Sequence, residues 1–420
     1  MIYKRSELGD NIGFTTVIDD KFKTCSLAVY LLTELSEETA AVNDLAAEIL
    51  TVSNSRYKTY AALCEKLSEL YGAGLGSSAR KKGDAQILGL KASWLDNRYA
   101  IDGENISGEM REIIRDCLFS PNVTDGAFDE ASFAIVRKDL LDRIESEFNQ
   151  KRGYALSRAA KLAYRGEPAE CTGYGSKAAA LAATPETAYK AYTELLKTAQ
   201  IEIYFVSPRE DSSFADMLRE NFAAVERRPL TFSLRNHSPL KPSPETVSEE
   251  YDVNQCKTVM TFKTDSDDRY ALKMLSIIYG ETPFSKLFLN VREKLSLCYY
   301  CTSHSVSAKG AFFVDSGVER ENIEKAQAEI KAQLEEIKNG NISDEEIASA
   351  LLALDNAVLQ VGDTPSSYIG WYFDCFCDNE VITPDEHFER FRQVTKERIV
   401  QAANSLRLDS IYLMLNKEVQ

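Results

Sequence analysis

Apolar and polar residues change period several times along the first half of the chain, and each change marks an element. Residues 24–31, Thr-Cys-Ser-Leu-Ala-Val-Tyr-Leu, have the apolar, β-branched and aromatic content of a strand. A helix is expected over residues 38–50 and a second over residues 56–71, the latter closed by Gly72. Alternation over residues 85–93 supplies the next strand. Val136, Leu140, Ile144 and Phe148 recur every four positions and mark a long helix within residues 128–148. Thr184-Pro185-Glu186 opens another helix with proline at its first position, and residues 201–206 close the half as a strand.

The second half repeats the order. Residues 258–263 read as a strand and 267–279 as a helix, and residues 311–318 form a strand after the stretch discussed next. Ile323, Ala326, Ile330, Leu334 and Ile337 give a helix stopped at Gly340. Ser343-Asp344-Glu345-Glu346 is a capping box, with Ile342 and Ile347 placed as its hydrophobic staple. Thr395 begins a helix where Thr184 does in the first half, and residues 410–415 end the chain's pattern as a strand. The wording also echoes: Glu65-Lys66-Leu67-Ser68-x-x-Tyr71 returns as Glu293-Lys294-Leu295-Ser296-x-x-Tyr299. Between the halves, Pro229, Pro239, Pro242 and Pro244 disfavour helix interior and central strand, so that span reads as an extended linker. The expected fold class is α+β: two homologous units, each an antiparallel or mixed sheet covered by helices on one face. The boundaries expected are 1–226 for the first unit, 227–248 for the linker and 249–420 for the second unit.

One stretch, residues 284–300, combines both periods. Phe284, Leu287, Phe288, Val291 and Leu295 are spaced as one buried helical stripe, with Arg292 at its edge. From Cys298 onward, Tyr300, Thr302 and His304 alternate with Tyr299, Cys301 and Ser303 as in a strand. A helix therefore feeds a strand, with Arg292 and Tyr299 bracketing the junction. Such residues are ordinarily a solvated charge and a sheet aromatic.

Size and charge narrow the picture further. A chain of 420 residues suits two domains of about 200 each. A net charge of −16 with no local Lys/Arg run excludes a nucleic-acid surface, which needs a clustered basic face. Residues 1–8 lack the apolar core of a signal peptide, and no run approaches the roughly 18 apolar residues of a membrane span, so a cytoplasmic location and no membrane partner are expected. Nine scattered cysteines fit reduced thiols better than a disulfide framework.

Metal and redox signatures are weak. His237, His304 and His387 stand alone, each without a second histidine within four residues, and His387 is expected on a solvated helix face. Cys298-x-x-Cys301-x-x-His304 has the spacing of a metal or redox motif. On a regular strand, however, residues three apart point to opposite faces, so the two thiols are not expected to converge. Cys375-x-Cys377 fails likewise on a helix. Gly72-x-Gly74-x-Gly76 follows a helix instead of preceding one, and marks a helix stop and the start of a strand.

The phrase Val291-Arg292-Glu293-Lys294-x-x-Leu297-x-Tyr299 resembles the insulinase/pitrilysin (M16) family of zinc peptidases and their inert homologues, and the layout of nearly the whole chain is similar to theirs. The resemblance implies two units enclosing a peptide chamber, with Arg292 and Tyr299 reaching a peptidase site. Active members carry His-x-x-Glu-His on a helix of the first unit, where two histidines four apart ligate zinc and the glutamate acts as base. No such motif exists in this sequence. Placed on the family pattern, the motif falls on Asn43-Asp44-Leu45-Ala46-Ala47, so that Asn43, Ala46 and Ala47 stand where the ligands and base would be. The further ligand falls near Arg143, with Glu145 and Glu147 close by. What the resemblance implies is a chain without metal of its own, paired with an active homologue that carries zinc, and acting with it on peptide or unfolded polypeptide. In that pairing Arg292 and Tyr299 would serve the partner's site in trans. The alternative it leaves open is a peptide-binding or scaffold homologue with no part in hydrolysis. An active hydrolase with a rearranged metal site finds too few ligands.

Overall fold

Each long alternating run becomes a strand, and the strands assemble into two sheets of matching order in the computed structural model, which describes residues 1–417. The first half supplies strands β1 (Ile2–Gly9), β2 (Ile12–Ile18), β3 (Thr24–Glu34), β4 (Gly74–Lys82) and β5 (Ala85–Leu95), a small hairpin β6 (Val123–Thr124) and β7 (Ala127–Phe128), and β8 (Gln200–Ser207). Its helices are α1 (Ala40–Glu48), α2 (Tyr60–Glu69), α3 (Ile106–Phe119), α4 (Glu130–Ser146), α5 (Lys151–Ala163), α6 (Lys177–Ala182), α7 (Pro185–Thr198) and α8 (Ser213–Phe222). The second half contributes β9 (Glu245–Tyr251), β10 (Cys256–Lys263), β11 (Cys298–Val306), β12 (Ala311–Val318) and β13 (Arg407–Asn416). Its α-helices are α9 (Arg269–Ser276), α10 (Ile323–Lys338), α11 (Asp344–Gln360), α12 (Pro365–Cys377), α13 (Pro384–Arg392) and α14 (Lys396–Ser405).

The duplication is plain in the topology. One sheet runs β1-β2-β8-β3-β5-β4 and the other β9-β13-β10-β12-β11 when read in the same sense. The pairs β2/β8 and β9/β13 are parallel, and the remaining neighbours are antiparallel in both. Between these two sheets, β1 is the strand among the described residues without a counterpart. The echo in wording, by contrast, is one helical turn out of register. The turn after α2 closes with Ala73 N–H on the Leu67 carbonyl, and its counterpart before β11 with Leu297 N–H on the Val291 carbonyl. By that closure Ser68 corresponds to Arg292, and Tyr71 to Leu295.

Two compact units result, and neither is contiguous. Unit 1 comprises residues 1–145, 171–233 and 361–381; unit 2 comprises 146–170, 234–360 and 382–417. The difference from the boundaries at 226 and 249 has a packing cause. In unit 1, Leu27, Val29 and Leu31 of β3 face the core shared with α1, α3, α4 and α7. The intervening Tyr30 turns the other way, where Phe373 of α12 meets it with ring centroids 4.4 Å apart. In unit 2, Met260, Phe262, Phe312 and Val314 face the main helical layer. Val259, Phe313 and Tyr412 face the other way, onto Ala155, Ala159 and Leu162 of α5. The α+β class with helices layered on a sheet holds, and a single crossing helix, encoded in the opposite half of the chain, covers part of each second face. Strand β9 also claims the end of the 227–248 linker.

Helix ends follow the side chains expected. Thr184 caps α7 in a box closed by Thr187, and Ser343 exchanges hydrogen bonds with Glu346 before α11. Gly72 adopts φ of +73° at the stop after α2, a left-handed conformation that costs glycine nothing.

Candidate functional site

Helix α1 in unit 1 carries the five residues Asn43-Asp44-Leu45-Ala46-Ala47. Ala46 is fully buried and Ala47 nearly so, both inside the apolar core. Asn43 donates from Nδ2 to Gln86 Oε1 at 3.0 Å, and Gln86 in turn donates to the carbonyls of Ala40 and Gly173. Asp44 and Glu48 lie one turn apart, and the Arg143 guanidinium bridges them: 3.0 Å from Nη1 to Asp44 Oδ2 and 2.8 Å from Nη2 to Glu48 Oε2. Burial pushes the Asp44 carboxyl up to about 7 against the pull of Arg143, and burial also raises Glu48. Glu145 pairs with Lys177 at 2.6 Å, so Arg143 is the residue of this segment that α4 delivers to α1.

This donor set does not suit zinc. An amide, two methyl groups and a guanidinium offer no ligand pair, and the nearby carboxylates are already held by a fixed cation. Among the described residues no group of three or more His, Cys, Asp or Glu could hold a metal ion. The three histidines sit apart. His304 stacks on Phe313 at 5.2 Å, with its pKa lowered by burial. His387 is half-buried instead of solvated, its Nδ1 3.3 Å from the Tyr270 hydroxyl.

Unit 2 keeps an open site at the junction before β11. The helical part, Leu287–Lys294, winds as a π-helix, with more residues per turn than the α-helix that the spacing implies. The expected stripe therefore does not form as one face. Leu287 and Val291 are buried, whereas Phe284 and Leu295 are exposed. The strand then begins with a β-bulge: Cys298 pairs with Val318 and Tyr300 with Gly317, leaving Tyr299 as the extra residue. Ser296, at φ +51°, makes the turn between them.

These two irregularities bring Arg292 and Tyr299 to one groove of about 430 Å³, lined also by Glu293, Cys298, Glu319 and Asn322. Tyr299 is 62% exposed, and its hydroxyl donates to Glu319 Oε1 at 2.9 Å, which raises the phenol's pKa. The Arg292 guanidinium lies over the Phe288 ring at 4.6 Å and 3.6 Å from Glu293, with its side chain 42% exposed. Tyr300 faces away, stacked under Arg152 at 4.7 Å, while Arg152 forks onto Asp315.

The bulge also overturns the expectation for the two thiols. Cys298 pairs with Val318 and Cys301 with Ser316, and Val318 and Ser316 are two apart on one regular strand. Cys298 and Cys301 therefore share a face, and both pack on the main core of unit 2. Sequence spacing alone could not reveal this, because one inserted residue reverses the alternation.

The chain thus combines a duplicated α+β fold, an Arg/Tyr groove in its second unit and, among the described residues, no cluster of metal ligands in its first. Residues 182–354 match the family described as peptidase M16 inactive domain. The chain is 28% identical over 403 residues to "Probable inactive metalloprotease YmfF" of Bacillus subtilis (strain 168), covering 95% of this chain and 94% of that one. A conserved protein from Enterococcus faecalis V583 has the same fold, with TM-score 0.91, 24% identity and coverage of 100% and 99%. A peptidase M16 inactive domain from Pseudomonas fluorescens matches with TM-score 0.81, 17% identity and 100% of both chains covered. The resemblance read from residues 291–299 holds: the chain is similar to M16 proteins described as inactive. No helix among the described residues is long and apolar enough to cross a membrane.

Proposed function

We propose that the protein is the non-catalytic, zinc-lacking subunit of a heterodimeric M16-type peptidase. An active homologue carrying His-x-x-Glu-His supplies zinc and the general base, and this chain supplies part of the chamber for a peptide or unfolded polypeptide. Arg292 and Tyr299 act in trans as donors toward the charge that develops on the scissile carbonyl oxygen, a task suited to a guanidinium and a phenol. The observation that supports this most is the convergence of Arg292 and Tyr299 on one open groove, beside the loss of ligands at Asn43, Ala46, Ala47 and Arg143. Co-purification with an active homologue, and peptidase activity that depends on adding this chain, is the test. An active homologue that neither binds this chain nor gains activity from it would overturn the proposal.

A second reading has its own support. The Tyr299 hydroxyl already donates to Glu319, and Glu293 lies beside Arg292. A groove whose donors are engaged by carboxylates also suits a peptide-binding scaffold with no role in hydrolysis. The two readings separate on whether Arg292 and Tyr299 affect the partner's turnover or only peptide affinity.

A further inference from the structure

The bulge at Tyr299 sets two thiols side by side in unit 2. On the face defined by Val318 and Ser316, Cys298 and Cys301 occupy neighbouring register positions, roughly 6.6 Å apart along the strand direction. That separation is at the upper end of the Cα spacing a disulfide spans, about 4.4–6.8 Å. The two differ in access: Cys298 is half-buried and lines the groove with Arg292 and Tyr299, whereas Cys301 is buried beneath it. None of the nine cysteines is joined in a disulfide in this structure.

We propose that Cys298 and Cys301 are a thiol–disulfide exchange site, with Cys298 the attacking and Cys301 the resolving thiol toward a low-molecular-weight disulfide that enters the groove. The Cys298 thiolate attacks one sulfur of the small disulfide, forming a mixed disulfide and expelling one thiolate. Cys301 then attacks the Cys298 sulfur, giving the Cys298–Cys301 bond and releasing the second thiolate. The protons of the two cysteines pass to the two leaving thiolates, so the small disulfide is reduced to two thiols and the protein loses two hydrogen atoms. The surroundings suit those roles. A hydrogen bond from Cys301, then one from Ser316 and the charge of Arg292, lower the Cys298 thiol to about 7, while the same sulfur contact and then burial raise Cys301. The inference stands whether or not the groove serves a peptidase.

Oxidation would remove the thiol beside Arg292 and tie the start of β11 to its fourth residue. Its effect on the groove is local, because Tyr300 and the α5 face lie on the other side of the strand.

The experiment uses the full chain and oxidised glutathione, followed by alkylation and peptide mapping. The wild type should lose both alkylatable thiols together, with the peptide spanning residues 298–301 lighter by two hydrogen atoms. Cys301→Ser should stop at a glutathione adduct on Cys298, and Cys298→Ser should leave Cys301 unmodified. In the untreated chain, alkylation of Cys298 should be half-maximal near pH 7, and Cys301→Ser should move that midpoint upward. Persistence of two free thiols in the wild type under conditions that glutathionylate other cysteines, or no adduct on Cys298 in Cys301→Ser, would overturn the proposal.

Discussion

In unit 1 the helix after the long strand β3 is sealed by its own neighbours: Ala46 and Ala47 in the core, and Arg143 clamped on Asp44 and Glu48. In unit 2 the helical turn before β11 stays open, with Tyr299 and Arg292 exposed on a groove. By position in the sheets α1 corresponds to α9 after β10, and the open turn before β11 to the turn after α2. The difference lies in backbone and charge. At the turn where unit 1 has a regular α2 and Gly72, unit 2 has a π-helix, Ser296 at positive φ and a bulge. Irregular backbone of this kind stores strain and re-aims side chains, and it concentrates where a fold does something besides packing. Substitutions in the sealed region should therefore act on folding, and substitutions in the open one on turnover.

The largest effect is expected at Ala46→Glu. The position is fully buried in an apolar core, and an unpaired carboxylate there costs several kcal/mol, enough to unfold the chain or force a neutral carboxyl. Soluble yield and urea unfolding would show it; a fold as stable as wild type would mean that α1 still opens to solvent. Arg143→Met should come next, destabilising by about 3 kcal/mol because two carboxylates lose their cation. An unchanged urea midpoint would break the contrast between a sealed and an open region.

The same cluster sets a pH dependence. The Asp44 carboxyl is raised to about 7 in the folded chain, so the native state holds this proton more tightly than the unfolded one. Its contribution to stability is complete below the ordinary carboxylate range, about pH 4, and is lost as pH rises through 7. Asp44→Asn should flatten stability against pH over that window. An identical slope in urea titrations at pH 4.5, 6 and 7.5, about the span concerned, would assign the dependence elsewhere.

The exchange of α5 and α12 gives a smaller, sharper test. The linker is anchored by Arg228 and Leu230 at one end, whose N–H groups reach Lys197 and Thr198, and by Asn236 and Ser238 at the other, reaching Ala308 and Lys309. Limited proteolysis should nick between those anchors. The two fragments should still co-elute on gel filtration, since each compact unit contains chain from both halves. Fragments that separate without denaturant would contradict the exchange.

Much of this architecture is readable in the alternation of residues 24–31, 85–93 and 311–318 and in the caps at Thr184, Ser343 and Thr395. The partner of each helix is not, because periodicity reports that a face is apolar and not which sheet covers it. Nothing in Ala155, Ala159 and Leu162 says that they cover β10 and β13. The echo between residues 65–71 and 293–299 points to a real duplication through matching that is a turn out of register. At the site, Arg292 and Tyr299 are legible through the resemblance. The π-helix and bulge that bring them together, and that set Cys298 beside Cys301, depend on single-residue insertions that leave no pattern.

Under the proposal, unit 2 contributes Arg292 and Tyr299 to a partner's chemistry. Steady-state kcat/KM of a reconstituted complex with an active homologue decides it, comparing wild type with Arg292→Ala, Tyr299→Phe and Tyr300→Phe at matched stability and partner affinity. The account predicts a loss of about 10²-fold or more for the first two, as expected when an oxyanion donor is removed, and little change for Tyr300→Phe, whose ring lies under Arg152 on the opposite face. Unchanged kcat/KM in both Arg292→Ala and Tyr299→Phe would contradict it and leave the chain as a scaffold.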